Sequence, residues 1–183
     1  MSQPRMDMDK PRLTTLTAMI FLAAASRLIP HPPNFTPFAA MALFGGAYIS
    51  DRRLAFGLPL AALFLSDAVL GFYHGMIWVY GSFALIVCLG LQLQSRRRLL
   101  PVAGAALAGS VLFFALTNFG VWISDGMYPR TLEGLAACYV AAIPFFQNTI
   151  AGDLLYTALL FGGFALAEKK FPALRESTAV GAA

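Results

Sequence analysis

Charge is scarce in this chain. Lys, Arg, Asp and Glu make up 12% of its residues, about half the roughly 25% of an ordinary soluble domain. Hydrophobic residues make up 58% and the mean hydropathy is +0.69, a balance that argues against a soluble globular class and for a membrane protein. Cysteine is nearly absent. Cys88 and Cys138 both lie in apolar sequence and form no C-x-x-C, metal-ligand spacing or disulfide framework, so they read as small buried hydrophobes. Histidine occurs twice, as His31 and His74. No H-E-x-x-H, Gly-rich phosphate loop or nucleophile elbow occurs, so no catalytic site, resident metal or cofactor is expected. The net charge of +4 does not point to nucleic acid, because the basic residues form small clusters between apolar runs rather than a stripe interleaved with aromatics.

What is present is unevenly spread. The stretch RLIPHPPNFTPFAAMALFGGAY, Arg27 to Tyr48, holds four prolines within eight residues (Pro30, Pro32, Pro33, Pro37), among Arg27, His31, Asn34 and Thr36. Proline fixes its own φ and disfavours helix for the residue before it. A rigid, polar-studded break between two apolar helices is therefore expected, and such a break is a natural place for a site.

Read in order, the chain predicts an all-α polytopic membrane protein with six transmembrane helices. Residues 1–12 read as a polar cytoplasmic tail, and residues 13–170 as one transmembrane domain. The spans are expected at Leu13–Ile29, Phe38–Ile49, Leu54–Leu70, Met76–Leu93, Leu99–Ile123 and about Asn148–Ala167. The first could pass for a signal peptide, with Ala23-Ala24-Ala25 as its cleavage site. Apolar sequence continuing to Ile29 disfavours cleavage. Gly45-Gly46 in the second span are expected to allow close helix packing or a bend, and Gly104, Ala105, Ala108 and Gly109 in the fifth to allow a neighbouring helix to approach closely. A semi-apolar helix is expected from Thr131 and a break at Pro144. Residues 171–183 read as a disordered tail. With both termini cytoplasmic, eleven of the thirteen basic residues fall on one side, and only Arg27 and Arg130 on the other. That split is a strong positive-inside signal.

This topology collects the unusual side chains at the outer end. The first outer loop carries Arg27, His31, Asn34 and Thr36; the second carries Asp67, Tyr73 and His74, with Trp78 and Tyr80 just beyond. The third carries Asn118, Trp122, Tyr128, Arg130 and Asn148, with Asp153 inside the last span. Trp and Tyr also gather at membrane interfaces simply as anchors. A carboxylate within an apolar span costs roughly 2.5–3.5 kcal/mol to insert, so Asp67 and Asp153 call for partners or a task. Arg27 and Arg130 are the expected partners, and an ion pair stapling loops to helices is the alternative to a site.

Four stretches carry a family resemblance: RLIPHPPNFTPFAAMALFGGAY, SDAVLGFYHGMIWVYGSFAL, FFALTNFGVWISDGMYPRTLEGLAACYVAAIPFF and QNTIAGDLLY. They resemble small bacterial membrane proteins described as transport proteins of unknown specificity. That group in turn resembles the S components of energy-coupling-factor vitamin transporters, and is similar to the solitary cobalamin transporters among them. The resemblance implies an S-component-like bundle of six helices binding a vitamin in an outward-facing cavity closed by three outer loops. The first helix lacks the Ala-x-x-x-Ala pattern by which S components usually dock on a shared ATPase module, which favours solitary action. Neither cysteine matches the cobalt-ligating position of the solitary transporters, and His74 is the other side chain able to ligate cobalt.

The expected function is thus uptake of a small nutrient, such as a vitamin or cobalamin-like compound, across a bacterial inner membrane. Phe35, Trp78, Tyr80, Trp122 and Tyr128 would enclose its apolar body. Arg27, His31, Asn34, Asp67, His74, Asn118 and Asn148 would orient it. With no nucleotide-binding motif, any ATP drive must come from a partner. Two alternatives remain: a structural or assembly membrane protein, and an intramembrane enzyme using Asp67 and His74.

Overall fold

Six helices account for most of the computed structural model, which describes residues 10–176. They are α1 (Lys10–Ala25), α2 (Phe38–Tyr48), α3 (Arg52–Leu70), α4 (Met76–Gln92), α5 (Leu99–Ser124) and α6 (Leu132–Lys170). Short 3₁₀ turns follow α1 at Ser26–Leu28 and α6 at Pro172–Leu174, and no strand occurs among the described residues. The all-α class expected from the sequence is what folds.

The organising element is α2. Its sequence, FAAMALFGGAY, has no charge and no polar face, and a helix apolar all round must be buried. All of its residues are buried, and it touches each of the other five helices. Against α4 the backbones nearly meet. A Cβ on Gly46 would lie 2.4 Å from the Val87 carbonyl oxygen, and one on Gly90 would lie 2.4 Å from that of Leu43. Only glycine on both sides permits this crossing, as Gly45-Gly46 led one to expect. Gly45 similarly receives the ring of Pro59 from α3. The last carbonyls of α2 lack intrahelical donors. The Gln94 amide supplies two hydrogen bonds there, to the Gly46 oxygen (3.1 Å) and the Ile49 oxygen (3.0 Å).

Neighbouring helix ends are set locally. Asp51 caps α3 by accepting from the backbone N–H of Arg53 and Leu54, and Thr131 caps α6 by accepting from that of Gly134. At the end of the bundle where α2 finishes, Arg12, Arg97, Glu168 and Glu176 converge around Tyr48. Arg12 pairs with Glu168 at 2.6 Å and Arg97 with Glu176 at 2.6 Å, and both guanidinium groups lie over the Tyr48 ring.

The structure corrects several expectations. Pro144 does not break the chain: α6 runs on through it as one helix of 39 residues. Pro144 lies on an exposed face, where its missing N–H leaves the carbonyl of exposed Val140 without an intrahelical donor. Lys10 to Arg12 belong to α1 rather than to a tail, and Arg12 is 1% exposed. Phe171 to Glu176, expected as disordered, turns back so that the Leu174 carbonyl accepts from Arg12. The remaining tail residues, 1–9 and 177–183, lie outside the described residues. Cys138 is buried as expected, but Cys88 is exposed on α4. Of the small residues in α5, Gly109 meets Ile86 across the interface, whereas Gly104 faces open space.

Three helices are long and apolar enough to cross a membrane: Arg52–Leu70, Leu99–Ser124 and Leu132–Lys170. α2 and α4 are apolar but shorter. Large apolar side chains also stand open on the outside, Ile77 and Leu99 among them, as a lipid-facing surface requires. Eleven residues make α2 roughly 16 Å long, against roughly 28 Å for the nineteen of α3. The two helices are joined by a tight turn at Asp51. The far end of α2 therefore stops about 12 Å short of the far end of α3, and the last residues of the proline loop, Phe35 to Pro37, descend into the bundle to reach it.

Candidate functional site

Where the proline loop descends, two polar groups are built side by side. The first centres on Asp67, in the last turns of α3 and 0% exposed. Arg27, in the 3₁₀ turn after α1, donates to Asp67 Oδ1 at 2.8 Å and also to the Ser66 hydroxyl. The Tyr80 hydroxyl, from α4, donates to Asp67 Oδ2 at 2.9 Å. Both carboxylate oxygens are thus satisfied by donors from different elements, the condition for burying a charge. The Arg27 guanidinium also lies 4.0 Å from the centroid of the Phe38 ring, at the start of α2. Tyr73, in the half-open α3–α4 connection, is pushed up to about 12 by partial burial and then by the Asp67 charge, so its phenol stays neutral at physiological pH.

Phe38 joins this pair to the second group. A small cavity of about 50 Å³ lies between the loop, α5 and α6, lined by Asn34, Thr36, Phe38, Ala39, Phe113, Thr149 and Asp153. Asp153 is 3% exposed and accepts a 2.6 Å hydrogen bond from the Ser110 hydroxyl of α5. The cavity has mixed walls, four polar side chains among Phe38, Ala39 and Phe113, and room for a few water molecules. Its roof is the loop. Asn34 holds a left-handed φ of +62°, a conformation that asparagine tolerates better than most residues. The loop rests on α6 at Gly152, where a Cβ would come within 3.1 Å of the Thr36 nitrogen. Asn148 of α6 donates to the Pro33 carbonyl at 2.9 Å, and the Phe35 ring packs against Tyr156.

The other expected site residues lie elsewhere. Trp78 lies over Gly120 of α5 and donates to the Ser124 hydroxyl at 3.2 Å. Trp122 donates to the Pro129 carbonyl at 3.0 Å, and both indoles pack on Phe119. These are staples between α4, α5 and the following loop. His74 is exposed at the tip of the α3–α4 connection, 3.7 Å from Asp125. His31 is exposed too, its Nδ1 hydrogen-bonded to the Ile29 carbonyl of its own loop. The Asn118 side chain donates to the Phe114 carbonyl of its own helix. Tyr128 is half-buried in the loop before α6 and does not line the cavity. Arg130 binds the Ile123 carbonyl and neither buried carboxylate. Six of the twelve expected residues therefore fall into the paired groups: Arg27, Asp67 and Tyr80 in one, and Asn34, Phe35 and Asn148 in or beside the other. No group of three or more His, Cys, Asp or Glu side chains placed to hold a metal occurs among the described residues.

A family model described as a family of unknown function, DUF6580, matches residues 8–174. The chain belongs to that family. No curated protein matches it, and no solved structure does.

In this DUF6580 chain Ser110 is a site residue not expected from the sequence, as are Ser66, Phe38, Ala39, Phe113 and Thr149. A signal for the first existed: an isolated hydroxyl in an apolar 26-residue helix, in a chain whose last span also carries an unpaired carboxylate. Phe113 and Thr149 carry no such signal, since each reads as ordinary helix content. Nothing in the sequence separates the tryptophans as staples from tryptophans as ligand walls.

Proposed function

We propose that this protein crosses the membrane six times, with both termini cytoplasmic, and binds a small nutrient at the recessed proline loop for uptake. Arg12 and Glu168, near the two ends of the described chain, pair with each other at one end of the bundle, which supports an even number of passes. The basic end of the bundle is then the cytoplasmic end, and the membrane is the bacterial inner membrane. The observation that carries the binding proposal is the small cavity beneath the loop, largely apolar but with the buried Asp153 carboxylate in its wall. A carboxylate at that depth, bonded by the Ser110 hydroxyl and faced by the Ala39 backbone N–H, is suited to a further donor from a solute entering from above. At about 50 Å³ the cavity is a closed form. A vitamin-sized solute enters when the loop lifts from α6, which breaks the Asn148–Pro33 bond and the contact at Gly152. Energy comes from a partner or from solitary facilitated uptake, and the protein is not an enzyme.

A second reading has its own observation. The same small volume, with the Trp78, Trp122 and Asn148 staples, suits a structural or assembly protein whose outer loops stay shut. The experiment that separates the two is uptake of a vitamin panel in a transport-deficient host. Cysteines at Pro33 and Asn148, in a background lacking Cys88 and Cys138, are cross-linked and then released. The transport reading expects uptake that is lost on cross-linking and restored on release. If no vitamin is taken up or bound by the purified protein, the structural reading replaces it.

A further inference from the structure

A groove of about 500 Å³ runs between α5 and α6 at the end of the bundle opposite the proline loop. Its walls are almost wholly apolar: Leu99, Val102 and Ala103 on α5, and one face of α6 from Leu154 to Ala165. At its mouth stand Tyr48, Arg97 and Arg98. The length along α6 matters. Eleven residues of rise give roughly 16 Å, about half of a hydrocarbon core of roughly 30 Å. The groove is therefore one leaflet deep, apolar along its length and cationic at the water-facing end.

Local sequence explains its shape. α6 passes through a π turn at Ala158–Gly162, which widens the helix within this wall. Gly162 faces open space, with nothing near the position of a Cβ. Arg97 is held by Glu176 and lies 4.8 Å from the centroid of Tyr48, while Arg98 is exposed and makes no ion pair among the described residues. Arg98 is also the residue before α5, whose first turn has free N–H groups at Leu99 and Leu100 and none at Pro101. An anionic oxygen at that mouth meets a guanidinium and the positive end of a 26-residue helix.

We propose that this groove is a binding site for one anionic glycerophospholipid of the leaflet at the basic end. Its phosphate sits against Arg98 and the start of α5, and one acyl chain lies along α6. Basic pockets between helices at the membrane surface select anionic headgroups in this way. The site is separate from the proline loop and does not depend on what that loop binds.

The test uses the full chain in nanodiscs containing equal amounts of phosphatidylglycerol and phosphatidylcholine, with lipids that stay bound after transfer to detergent measured by native mass spectrometry. Retained phosphatidylglycerol is expected to exceed phosphatidylcholine by roughly fivefold, in line with about 1 kcal/mol for Arg98, the one basic residue at the mouth with no ion pair among the described residues. Arg98→Gln removes most of that preference. Gly162→Phe fills the groove and abolishes retention of both lipids, while the folded protein is still recovered. Free glycerol phosphate, which offers the anion without a chain, is expected neither to compete nor to raise the melting temperature. Equal retention of the two lipids overturns the proposal. So does retention unchanged by Gly162→Phe, competition by glycerol phosphate, or a dimer whose interface occupies the groove.

Discussion

Replacing Arg27 by methionine probes the buried centre of the outer end. Asp67 is 0% exposed and Arg27 10%. The substitution removes the donor at 2.8 Å from Oδ1 and the cation over Phe38, and leaves the carboxylate with the Tyr80 hydroxyl alone. Removing one partner of a buried pair costs about 3–5 kcal/mol, because the other charge stays buried and uncompensated. Asp67→Leu carries a similar cost for the same reason. The double substitution Arg27→Met with Asp67→Leu removes both charges and is expected to be more stable than the sum of the single costs by about 2–3 kcal/mol. Equilibrium unfolding in mixed micelles, read through the fluorescence of Trp78 and Trp122, measures all four corners of the cycle. If Arg27→Met costs less than about 1 kcal/mol, or if the two changes add within about 0.5 kcal/mol, the pair is not the desolvated centre described above.

Gly46→Leu places a side chain where even a Cβ would lie 2.4 Å from the Val87 carbonyl oxygen, so folded yield is expected to collapse. Gly104→Leu, facing open space, should stay within about 0.5 kcal/mol of the wild type in the same unfolding assay. Gln94→Leu leaves the Gly46 and Ile49 carbonyls without their side-chain donor and should cost about 1–3 kcal/mol in that assay. Arg12→Leu removes the hold on Leu174 and Glu168, so trypsin should cut after Arg175 several-fold faster, measured by mass spectrometry of timed digests.

Much of the scaffold is legible from residue order. The burial of α2 follows from eleven residues without a polar face, its crossing with α4 from Gly45-Gly46, and the Asp67–Arg27 pair from the cost of a carboxylate in an apolar span. The continuity of α6 is not legible. Proline forfeits one hydrogen bond, and whether that ends a helix depends on what surrounds the freed carbonyl. Pro144 stands on an exposed face, and α6 is continuous through it. The role of the two tryptophans is not legible for a related reason. An indole at the outer end serves equally as a ligand wall or a staple, and only the position of Gly120 beneath Trp78 decides between them. The involvement of Ser110 with Asp153 spans 43 residues and depends on how α5 turns against α6, which neither helix specifies alone.

The enclosure of α2 also bears on how the chain is made. Four of the five helices that wrap it, α3 to α6, leave the ribosome after it does. During synthesis this eleven-residue segment, too brief to reach from one leaflet surface to the other, waits without most of its eventual surroundings. Its settling must therefore wait at least until α4, whose backbone it meets most closely, has been threaded into the bilayer.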